Sequence, residues 1–96
     1  MRVIVETLGL PTLAAVLGKR TEIDLPPGAS LADLIGCIVQ RFGPEARRGL
    51  LDREGRLDLT IQILLNEEGF VPREELAGRR LSEGDRVRLM LLVGGG

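Results

Sequence analysis

The sequence predicts an α+β domain: a mixed sheet of four to five strands with one main helix packed on one of its faces. Three observations predict it. Several runs rich in β-branched residues alternate apolar and polar side chains with the period of a strand, one stretch repeats its apolar residues with the period of a helix, and turns containing Gly or Pro separate them. At 96 residues, 44% hydrophobic and 28% charged, the chain has a globular composition and enough length for a single modest core.

Residues 2–8, RVIVETL, set Val3 and Val5 against Arg2, Ile4 and Glu6, which reads as a strand with one mostly apolar face that Gly9 and Pro11 then break. Residues 11–19, PTLAAVLGK, fit either a long hairpin loop or a helical turn. Residues 20–25, RTEIDL, alternate again and close at Pro26, Pro27 and Gly28. The clearest helix is SLADLIGCIVQRF, residues 30–42, with Leu31, Leu34, Ile35, Ile38, Val39 and Phe42 at helical spacing. Ser30 is its natural N-cap, Asp33 suits the free amides of its first turn, and Gly43 with Pro44 ends it. Residues 44–57 give a short helical turn and a polar reversal at Asp52 to Gly55. LTIQILLN, residues 59–66, alternates Ile61, Ile63 and Leu65 against Thr60, Gln62 and Leu64 and ends in the turn NEEG. Residues 70–72, FVP, suit a short edge strand because Pro72 has no N–H to donate. Leu76 and Leu81 are apolar anchors in a polar connection, and SEGD turns the chain into a last strand over residues 86–93.

A single helix covers one face of such a sheet. If Val87, Leu89 and Leu91 point at it, the period of two sends Met90 and Leu92 to the other face together with Ile4 and Leu64. The expectation is an apolar patch on that face, of the kind that docks a partner.

Much chemistry is excluded by what the chain lacks. It contains no histidine, which removes Ser-His and Cys-His pairs and most zinc sites. Glu67 with Glu68 and Glu74 with Glu75 are neighbours in polar turns and read as solvated carboxylates rather than an acid and a base. Cys37 lies mid-helix off the apolar stripe with no Lys or His beside it in sequence, as an ordinary thiol, and as the one cysteine it forms no internal disulfide. Net charge is -1, and two Phe with no Tyr or Trp give bases little to stack on, so Arg47, Arg48, Arg79 and Arg80 read as solvated and no nucleic-acid role is expected. No apolar run reaches membrane-spanning length and the first residues do not form a signal peptide, so no membrane is expected and the cytoplasm is the expected location. An enzyme is not expected.

The chain closes on LMLLVGGG, residues 89–96. Taken together and in order, LPPGASLADLI, the segment LLDREGRLDLTIQILLNEEG and the ending LSEGDRVRLMLLVGGG resemble the MoaD/ThiS group of ubiquitin-like sulfur carriers, most of all the molybdopterin synthase small subunit. The resemblance implies the β-grasp fold over residues 1–93, with residues 94–96 as a flexible tail. It also implies a carrier rather than a catalyst. A ubiquitin-activating-like adenylating enzyme would use ATP and Mg²⁺ to activate the Gly96 carboxylate, a sulfur donor would convert it to a thiocarboxylate, and a synthase subunit would accept the sulfur, with a pterin dithiolene as its destination. No cofactor bound by the chain itself and no metal are implied. Gly94 and Gly95 would thread the tail into the partner, since three extended residues reach about 10 Å and carry no side chains. Ile4, Leu64, Met90 and Leu92 would form the docking surface. Thiamine thiazole, tRNA thiolation, cysteine synthesis and a tungsten cofactor are other destinations for the same chemistry. A protein modifier joined through Gly96, and a plain interaction domain with a glycine-rich end, are readings of other classes.

Overall fold

The computed structural model describes residues 1–91. Among them, five strands form one sheet: β1 (Arg2–Leu8), β2 (Arg20–Asp24), β3 (Ile61–Leu65), β4 (Gly69–Phe70) and β5 (Arg86–Leu91), in the order β2-β1-β5-β3-β4. β1 runs parallel to β5 and antiparallel to β2, and β3 runs antiparallel to both β5 and β4, so the sheet is mixed. The strand nearest the chain's end therefore sits in the middle, hydrogen-bonded on both edges.

The expected alternation is realised. Val3, Val5, Ile23, Ile61, Ile63, Leu65, Val87 and Leu89 are buried in one cluster with the apolar residues of the helices. The longest helix, α2 (Leu31–Phe42), contributes Leu31, Leu34, Ile35 and Ile38, while Val39 and Phe42 pack at its margin. Cys37 also lies at that margin. Ser30 caps α2 with a reciprocal capping box: the Asp33 N–H donates to Ser30 Oγ at 3.1 Å and the Ser30 N–H donates to Asp33 Oδ2 at 2.9 Å.

Beside the one main helix that the sequence predicts stand two short ones, α1 (Pro11–Leu17) and α3 (Pro44–Leu50), the second where the sequence gives a short helical turn. The ambiguous stretch after β1 is thus helical. Pro11 opens α1 at a position where its missing N–H costs nothing, Leu13 and Leu17 sink into the core, and the Gly18 N–H closes the helix on the Ala14 carbonyl. The two short helices lean on each other at Gly49, where a Cβ would lie 3.3 Å from the Leu13 nitrogen. A 3-10 turn, Arg73–Glu75, leads to Leu76 and Leu81, which are buried as expected.

This connection also finishes α2. The first N–H groups of a helix have no partner within it, and here Leu31 donates to the Arg79 carbonyl at 3.0 Å and Ala32 to the Leu76 carbonyl at 3.1 Å. The first turn of α2 and the connection before β5 are thereby tied together by backbone.

Candidate functional site

The face of the sheet turned away from the helices is set by strand parity. Even-numbered residues of β1, β3 and β5 occupy it, and the register brings them into rows: Leu8, Met90 and Gln62 form one, Glu6, Arg88, Leu64 and Phe70 the next, and Ile4 with Arg86 a third. Ile4, Leu64 and Met90 are half-buried on this face. Met90 lies beside Leu8 and diagonal to Leu64, within reach of both. Ile4 is set apart, because the Glu6–Arg88 pair crosses the face between it and the others, with Arg88 Nη2 3.5 Å from Glu6 Oε1 and 3.9 Å from Glu67 Oε1. The surface is thus an apolar band with a polar seam.

Two members of this band escape the sequence reading. Leu8 and Phe70 are 53% and 54% exposed. Leu8 was signalled, since it continues the parity of Ile4 and Glu6 along β1; Phe70 sits in a strand of two residues, too short for any period, and reaches the band by pairing with Leu64. Leu91 shares the parity of Val87 and Leu89, yet at the strand's end it is 42% exposed and lies against Gly9, where a Cβ would come within 3.3 Å of its own. The expectations placed on Leu92, Gly94, Gly95 and Gly96, and the last two residues of the expected strand, lie outside the described residues.

The turn beside the band is held rigidly. Asn66 and Glu67 both adopt positive φ, 54° and 61°, and the Glu68 N–H closes the turn on the Leu65 carbonyl at 3.0 Å. Asn66 then clamps the start of β5: its Nδ2 donates to Asp85 Oδ1 at 2.9 Å and its Oδ1 accepts from the Arg86 N–H at 2.8 Å. The turn thereby fixes the entry of the central strand.

Perturbed carboxyls among the described residues serve the fold. The Ser30 N–H and side chain hold the Asp33 carboxyl below the ordinary carboxylate range, and the Thr60 hydroxyl and N–H do the same for Asp58. Hydrogen bonding and charge from Arg2 lower Asp24. The carboxylates of residues 67, 68, 74 and 75 are exposed. No group of three or more His, Cys, Asp or Glu able to hold a metal occurs among the described residues, and no helix among them is long and apolar enough to cross a membrane. What this face offers chemically is contact area.

No family model and no curated protein matches the chain. Solved structures do. The chain is similar to small archaeal modifier protein SAMP1 from Haloferax volcanii, at 22% identity over 100% of both chains with a TM-score of 0.78. It is also similar to a putative molybdopterin converting factor, subunit 1, from Pyrococcus furiosus, at 26% identity over 97% of this chain and 99% of that one with a TM-score of 0.68. A third likeness is to the BexX/CysO complex of Amycolatopsis orientalis, at 23% identity over 98% of this chain and 99% of that one with a TM-score of 0.66. The chain shares with these neighbours the ubiquitin-like β-grasp fold.

Proposed function

We propose that the chain is a sulfur carrier with Gly96 as its reacting, terminal residue. An adenylating partner using ATP and Mg²⁺ joins the Gly96 carboxylate to AMP with loss of pyrophosphate. A sulfide nucleophile delivered by a sulfur donor then attacks the carbonyl and displaces AMP, which leaves a thiocarboxylate. A synthase subunit takes the sulfur into a pterin dithiolene, a destination supported by the likeness to the putative molybdopterin converting factor subunit.

The observation that carries this reading is the position of β5. The strand that leads into VGGG is the central one, paired along both edges with β1 and β3. A segment that starts from a strand so held begins at a fixed point, so docking of the body places the reacting carbonyl and turns a dilute acyl group into a local reactant. Gly94 and Gly95 carry no Cβ and suit a channel of backbone width. The docking surface in this reading is the band that holds Leu64 and Met90, with Ile4 beyond the seam; Leu92, assigned to it from the sequence, lies outside the described residues.

Intact mass spectrometry tests it. After incubation of the full chain with its activating enzyme, ATP, Mg²⁺ and sulfide, the mass is expected to change by replacement of one oxygen with sulfur. An unchanged mass with an enzyme that thiolates its own cognate carrier overturns the proposal. Deletion of Gly95 and Gly96 is expected to abolish transfer and leave the circular dichroism spectrum unaltered, because no packed side chain is lost.

The likeness to small archaeal modifier proteins favours a second reading, attachment of Gly96 to lysines of target proteins. Recovery of an isopeptide between Gly96 and a target lysine would establish it.

A further inference from the structure

On the helical side of the molecule, a hollow of about 430 Å³ runs between α2 and the turn that follows α3. Its floor is apolar: Ile35 and Val39 from α2, with Leu51, Leu57 and Leu76. Ile35, Leu57 and Leu76 are core residues that keep an edge in water, at 8%, 6% and 8% exposure. Part of its wall is the bare surface of α2 at Gly36, where a Cβ would meet nothing within 4 Å. Arg56, Leu57 and Leu76 also line an adjoining hollow of about 350 Å³, so the two form one elongated trough.

The trough has one sign of charge along its larger hollow. Arg47 and Arg56 flank the floor, and the larger hollow has no acidic lining residue. Arg73 continues the basic edge into the smaller one, where Glu74 is the one acid. Among the described residues Arg47 makes no ion pair, and Arg56 pairs with Glu54 at 2.9 Å with both side chains about 70% exposed, an arrangement weak enough to exchange for a better partner.

We propose that this trough is a second docking site, and that its occupant is a partner-protein segment carrying acidic residues beside branched or aromatic apolar ones. The apolar residues fill the floor and the carboxylates pair with Arg47 and Arg56 at the rim. The trough is open along its length, so a lone acyl chain would remain half in water, whereas a peptide brings its own backbone and neighbouring side chains to close it. The site lies across the sheet from Ile4, Leu64 and Met90, so it can be filled while the outward face is engaged. It does not depend on the sulfur-carrier reading.

The test uses the full chain and a displayed library of random dodecapeptides. Selected binders are expected to combine two or more Asp or Glu with Leu, Ile or Phe. Their binding is expected to shift the amide resonances of Gly36, Val39, Leu51 and Gly55. Affinity is expected to fall roughly tenfold or more in the double variant Arg47→Glu/Arg56→Glu, and to fall likewise in Gly36→Phe, which plugs the trough from an open position on the helix surface. Binders without acids, binders that shift only outward-face residues, or a library yielding none overturn the proposal. So does saturable binding of decanoate to the same amides where the peptides fail, which would assign the trough to a small amphiphile.

Discussion

At the scale of single residues, Ser30 and Asp33 show how one pair can set both a helix start and an acid response. Removing the hydroxyl leaves the Asp33 N–H without its cap partner, so Ser30→Ala is expected to cost about 1 kcal/mol at neutral pH, read by urea denaturation. The Asp33 carboxyl is lowered first by the Ser30 N–H and then by its side chain. The folded carboxyl therefore binds its proton less tightly than the unfolded one. The resulting stabilisation is complete above the ordinary Asp pKa of about 3.9 and disappears as pH falls through the lower folded value. Stability measured from neutral pH downwards is expected to drop below about pH 4 more steeply in the native chain than in Asp33→Asn. Asp24 and Asp58 are lowered as well, so the variant keeps part of the acid slope.

At the scale of elements, two helical glycines answer to opposite demands. Gly36 faces open space on α2, and Gly36→Ala is expected to stabilise the chain by up to about 1 kcal/mol, or a few degrees in a thermal melt. Gly49 on α3 faces the backbone of Leu13 on α1, where there is no flexible side chain to yield. Gly49→Val is expected to destabilise by roughly 1–3 kcal/mol in the same melt. A stabilised Gly49→Val would mean that α1 and α3 separate freely. In the sequence α3 reads as a short helical turn and α1 stays open between a loop and a helix, and length is the reason neither shows a full helical period. The strands and α2 repeat their apolar residues often enough to show a period, whereas α1 and α3 span seven residues each and owe their shape to burial of Leu13, Leu17, Ala46 and Leu50. The outward positions of Ile4, Leu64 and Met90 were legible because parity needs only an anchored strand. The seam of Glu6 and Arg88 that divides them was not, since it depends on which strand lies beside which.

At the scale of the molecule, the sheet separates the two proposed docking surfaces. Met90→Arg adds charge to the apolar band without opening the core, so under the proposed function it is expected to weaken binding of an adenylating partner roughly tenfold, by calorimetry. The folding free energy should move by no more than about 0.5 kcal/mol. Loss of stability with unaltered binding would remove Met90 from the docking surface. The central place of β5 has a further consequence for how the protein is made. Its pairing with β1 joins residues about 80 positions apart, as Ile4 with Arg86, so the sheet cannot close before residues 86–91 have been synthesised. A product cut short before Arg86 lacks the strand that joins β1 to β3, so its sheet is left in two separate pieces with the edges of β1 and β3 unpaired.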